Sequence, residues 1–61
     1  MTVRHLFMIC SNEMRVDITD FNSLSDIFHG TVKEFMNTVE EDYEIDHCII
    51  QDNILIILVN V

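Results

Sequence analysis

The sequence contains no proline, no tryptophan and a single glycine, Gly30. Chain punctuation must then come from Asn, Asp and Ser, which favour turns through local hydrogen bonds and, for Asn, through tolerance of positive φ. Fixed cations are almost as scarce. Arg4, Arg15 and Lys33 stand against eleven Asp and Glu, a formal net charge of −8. Binding to nucleic-acid phosphates needs clustered Lys and Arg, so three scattered cations argue against direct nucleic-acid binding. An anionic membrane surface is disfavoured on the same ground. Long apolar runs are missing too. The longest, Ile54–Val59, is far too short to span a bilayer. The N-terminus lacks the basic start, apolar core and small-residue cleavage site of a secretory peptide. Cys10 and Cys48 are the only cysteines. Without a signal segment they read as free, partly buried thiols in a reducing compartment, and a cytoplasmic location is expected.

What is present in quantity is apolar material, 49% of 61 residues. That length allows one domain, spanning residues 1–61. A domain this small buries only about 60% of its unfolded surface and is marginally stable alone. Disordered acidic chains are poor in apolar residues. This chain is rich in them, so it folds and its acids crowd onto a limited surface.

The residue pattern predicts a β-β-α-β-β domain of the α+β class. Thr2–Cys10 is rich in β-formers and reads as a first strand, followed by a turn at Ser11-Asn12-Glu13. Met14–Thr19 alternates with period two, Met14, Val16 and Ile18 against Arg15, Asp17 and Thr19, as a half-buried strand does. Leu24, Ile27, Phe28, Thr31, Phe35, Val39 and Tyr43 follow at spacings of three and four, the pattern of an amphipathic helix. Ser23 and Asp26 resemble its capping box, and Gly30 falls mid-helix, either merely tolerated or marking a close approach. Glu44–Ile50 reads as a third strand, Gln51-Asp52-Asn53 as a turn, and Ile54–Val61 as the most β-prone stretch.

A right-handed crossover places the helix on one face of a single, mostly antiparallel, four-stranded sheet. The two longest apolar strands, first and last, belong in the centre, which gives the order 2-1-4-3 with the second strand at a charge-guarded edge. One helix cannot cover both faces. In the last strand Leu55, Ile57, Val59 and Val61 point one way and Ile54, Ile56 and Leu58 the other. An uncovered apolar sheet face is rare in soluble monomers. A homodimer through sheet faces or edges is the simplest cover. Leu6, Met8, Ile54, Ile56 and Leu58 are the candidate apolar interface.

The most distinctive local feature is acidic: Glu40, Glu41, Asp42, Glu44 and Asp46 run from the end of the expected helix into the third strand. A helix C-terminus carries partial negative charge and prefers cations, and no Lys or Arg lies nearby in sequence. The cluster is therefore either a solvated surface or a patch that docks on a basic partner, in the extreme as a mimic of a nucleic-acid backbone. Calcium loops need alternating oxygen ligands around a glycine, which is not the spacing here. His5, His29, His47 and the two cysteines make no CxxC or HxxxH spacing. No metal, cofactor or catalytic residue is expected, and no nucleophile–base arrangement suggests an enzyme.

In size, charge and lack of catalytic residues the chain resembles the tiny acidic proteins that bacterial viruses make to disable host enzymes. That resemblance implies an inhibitor acting on a basic host protein in the host cytoplasm. The other reading is an antitoxin-like or adaptor subunit that docks through an apolar sheet face.

Overall fold

The computed structural model describes residues 1–61. Two helices and four strands follow one another: α1 (Val3–Phe7), β1 (Arg15–Asp20), β2 (Asp26–Thr31), α2 (Val32–Thr38), β3 (Glu44–Gln51) and β4 (Ile54–Asn60). The strands form one sheet in the order β2-β1-β4-β3. Two of its three ladders, β1 with β2 and β3 with β4, are antiparallel; the central one, β1 with β4, is parallel. The ββαββ succession, the α+β class and the 2-1-4-3 order therefore hold, with α1 as an additional short helix in front.

The residues that fill the early elements differ from expectation. Thr2–Cys10 is not a strand. Val3 and Phe7, four apart, are both buried, while Met8 and Ile9 are among the most exposed apolar residues of the chain. A short helix presents the first pair to one side. Thr2 caps it by accepting from the His5 N–H at 3.3 Å, and Asp42, 38 residues away, accepts the Arg4 N–H at 3.0 Å. Local β-propensity loses here to a distant capping acid. The place expected for the first strand passes to β1, the stretch 15–20, which is central and not an edge.

The expected long helix is split at Thr31. Leu24 stands in a turn with φ 59°, and Ile27 and Phe28 belong to β2. The capping box that forms is Thr31 with Glu34 and not Ser23 with Asp26. Thr31 accepts from the Glu34 N–H at 3.2 Å, and the Glu34 carboxylate accepts from the Thr31 N–H at 3.1 Å. Gly30 fixes the break. It sits on β2 opposite Val16 with φ 154°, and a Cβ there would lie 3.1 Å from the Phe28 ring and 3.3 Å from the Glu34 carboxylate. The turn expected at the other end of the sheet is present: Asp52 and Asn53 both have positive φ, as a two-residue type I′ hairpin requires.

Both helices cover the same face. Val3, Phe7, Val32 and Phe35 pack on Val16, Ile18, Leu55, Ile57 and Val59 as one core. The Phe35 ring meets Phe7 and Phe28 edge-on at 5.2 and 5.3 Å, and the Arg4 guanidinium lies over it at 5.7 Å. The accessible surface, 4169 Å², is what a compact chain of this mass shows, roughly 4,100 Å². No helix is long and apolar enough to cross a membrane.

Candidate binding surfaces

The second face of the sheet carries no helix. Its central row is Ile54, Ile56 and Leu58 of β4, all half-buried. On one side these pair with Gln51, Ile49 and His47 of β3; on the other they pair with Arg15, Asp17 and Thr19 of β1. The open face therefore has two halves. The β3–β4 half is the more apolar, with Ile49, flanked by Gln51 and His47, still 52% exposed. Its far end is partly roofed by Phe21, whose ring stacks on His47 at 5.5 Å. The β1–β2 half is polar. Leu6 and Met8, expected to share an interface with Ile54, Ile56 and Leu58, lie at α1 on the helical side and do not join that surface.

In the polar half three titratable side chains converge that the linear pattern did not bring together. Asp17 is paired with His29 across the β1–β2 ladder, and Asp26 lies next to both. His29 Nδ1 is 2.9 Å from an Asp26 carboxylate oxygen. Burial pushes the Asp17 carboxyl up from its ordinary value, and a shared hydrogen bond with Asp26 and its charge add to this. Asp26 moves down, chiefly because His29 and then Asp17 hydrogen-bond to it. The two neighbouring carboxyls are thus pushed apart, Asp17 toward holding its proton and Asp26 toward releasing it. One Asp17 oxygen is buried without a partner. A shallow depression of about 230 Å³ adjoins the group, lined by Arg15, Val16, Asp17, His29, Gly30 and Ile54. These acids were hidden in the sequence because Asp26 and His29, three apart, read as one turn of a helix surface.

The acidic run divides by role. α2 ends at Thr38, so Glu40, Glu41 and Asp42 stand in the loop beyond it and not on its last turn. The expected conflict with the helix dipole is relieved in a second way. The fold brings Arg4 to the end of α2, where its guanidinium donates to the Val39 carbonyl. Asp42 is a structural residue. Burial alone would raise its pKa, but hydrogen bonds from the Arg4 N–H, the Thr2 hydroxyl and the Tyr43 N–H outweigh that and hold it below its ordinary value of 3.8. Glu44 receives the Met1 amino group at 3.3 Å, and Asp46 lies 3.5 Å from His47 Nδ1. Glu40 and Glu41 are exposed and make neither a hydrogen bond nor an ion pair.

Cys10 and Cys48 are unpaired thiols. Partial desolvation, and then the nearby Cys10, push the Cys48 thiol up, which leaves less of the nucleophilic thiolate. No three His, Cys, Asp or Glu side chains are arranged to hold a metal ion.

No family model matches the chain, and no curated protein or solved structure matches it to a significant degree.

Proposed function

We propose that this chain is a non-enzymatic binding protein of the inhibitor type, which occupies a basic site on another protein, of the kind that also accepts nucleic acid. The observation that carries this reading is the distribution of charge. Of three cations, Arg4 is drawn into the fold, while Glu40 and Glu41 project unpaired beside Glu44 and Asp46. Carboxylates in such a run can stand where phosphates would, and the summed field of −8 steers the chain toward positive surfaces. The half-buried row Ile54, Ile56 and Leu58 supplies apolar area that charge alone would lack. Binding takes place in the cytoplasm, that of the host if the chain is viral.

The test is affinity capture on the immobilised chain with elution by salt. A basic protein retained at low salt, released as salt rises, and lost by the Glu40→Lys/Glu41→Lys variant supports the reading. Retention that neither salt nor this variant changes contradicts it.

A second reading, an antitoxin-like or adaptor subunit, is favoured by one observation, the apolar half of the open face. There, Ile56→Asp would abolish capture and salt would matter little.

A further inference from the structure

We propose that two copies of this chain associate through the free edge of β3, antiparallel, with Ile49 on the two-fold axis. The inference is independent of the acidic reading above.

The edge of β3 is divided. Its first part is already paired by the chain itself: the Val3 N–H donates to the Tyr43 carbonyl at 2.9 Å, the Ile45 N–H donates to the Met1 carbonyl at 3.0 Å, and Thr2 bridges Glu44. Beyond the irregularity between Ile45 and His47, nothing lies beside the strand. Ile49 is 52% and Ile50 68% exposed.

The register determines which backbone groups are free. Gln51 and Ile54 close the two-residue hairpin and are hydrogen-bonded to one another. Antiparallel alternation then turns Ile49 and His47 inward to β4 and leaves the N–H and C=O of Cys48 and Ile50 pointing outward. Ile45, whose N–H points outward to Met1, fits the same alternation once the extra residue is counted.

Two outward residues separated by one inward residue form a self-complementary set. An antiparallel second copy placed with Cys48 opposite Ile50 of the other chain exchanges four main-chain hydrogen bonds. Ile49 meets Ile49 of the second copy across a pair that is not hydrogen-bonded. On the open face this joins Ile56 and Ile49 of one chain to the same residues of the other in one apolar row. No Asp, Glu, Lys or Arg lies between His47 and Gln51 to oppose the approach. A β-strand edge without such a guard is a template for pairing. The opposite edge, β2, carries Asp26, His29, an irregular register and a glycine at positive φ. Growth therefore stops at a closed dimer with an eight-stranded sheet. Asp46 and Asp52 would stand near each other at the two ends of the contact, so salt strengthens this association. It weakens binding between the acidic loop and a basic partner.

The experiment uses the full chain. Sedimentation equilibrium across concentration and salt is expected to show a monomer–dimer equilibrium that shifts toward dimer with added salt. Ile49→Lys, which sets two cations on the axis, is expected to weaken it at least tenfold with the circular dichroism of the monomer unchanged. Glu40→Lys/Glu41→Lys is expected to leave the dimer intact. In a Cys10→Ser/Cys48→Ser background, Ile49→Cys is expected to form an interchain disulfide under mild oxidation, because the paired Cα atoms lie about 4.5 Å apart. Native Cys48 is expected not to cross-link to its copy, being displaced beyond the roughly 7 Å that a disulfide spans. A chain that stays monomeric at millimolar concentration overturns the proposal, as does a dimer indifferent to Ile49→Lys or one cross-linked through Cys48.

Discussion

The two edges of this sheet are built to opposite rules. β2 is an edge with most of its residues engaged: Gly30 admits the Phe28 ring and the Glu34 carboxylate, Thr31 caps α2, and Asp26 and His29 bind each other. β3 is an edge whose second half has no main-chain neighbour on its outer side, with five consecutive exposed residues from His47 to Gln51, of which only His47 is engaged, stacked on Phe21. A domain of this size has little stability to spare. It fixes one margin with turn and cap chemistry and leaves apolar residues uncovered on the other. The contrast separates residues that hold the fold from residues available for contact.

Substitution at Gly30 should break the committed edge. Gly30→Ala forces a side chain into φ 154° and into contact with Phe28 and Glu34. A loss of about 1–3 kcal/mol is expected, a fall of roughly 4–8 °C in melting temperature per kcal/mol. A melting temperature within a degree of the parent would show that this edge yields. Asp42→Ala comes next. It removes the acceptor of the Arg4 N–H and should cost about 1 kcal/mol, as lost helix caps do. The sign with pH follows from its lowered pKa. The Asp42 contribution is full above the ordinary value of 3.8 and is lost as pH falls through the lower, folded value. The variant should therefore melt closer to the parent at strongly acid pH than at neutral pH, which denaturation across that range would check.

Asp17→Asn should act in the opposite direction. The Asp17 carboxyl is raised in the fold, so its ionisation opposes folding: the native state is favoured while it is protonated and loses that advantage as pH rises through the folded value. Asparagine should stabilise the neutral-pH form by on the order of 0.5–1 kcal/mol, the scale of a cross-strand like-charge contact. The smallest effect belongs to the free edge. Ile50→Thr keeps a β-branched residue at an exposed position and should change stability by less than about 0.5 kcal/mol. A large loss in urea unfolding would mean that Ile50 supports the fold after all.

The later half of the fold was legible because its signals are local. Glu44–Gln51, the Asp52-Asn53 turn and Ile54–Asn60 follow from β-branched runs around a turn pair, and the uncovered face follows from β4 being apolar on both sides. The earlier half is less legible, for two reasons. α1 is too short to declare itself by periodicity; its cap draws on Asp42, 38 residues away in the chain. β2 and α2 run together in a spacing of three and four that also suits a strand entering a helix. The signal that separates them, Thr31-Val32-Lys33-Glu34 directly after the only glycine, was in the sequence and outweighs Ser23 with Asp26. The acidic run was legible as charge but not as two roles, because the capping function of Asp42 requires a helix that the sequence does not announce.

The contrast between the edges is tested most directly by hydrogen exchange of individual backbone amides at increasing protein concentration. The amides of Cys48 and Ile50 should exchange freely in dilute solution and become protected as concentration rises, while exchange along β2 does not change with concentration. Protection that appears at β2, or Cys48 and Ile50 amides that remain fast at every concentration, would contradict the account.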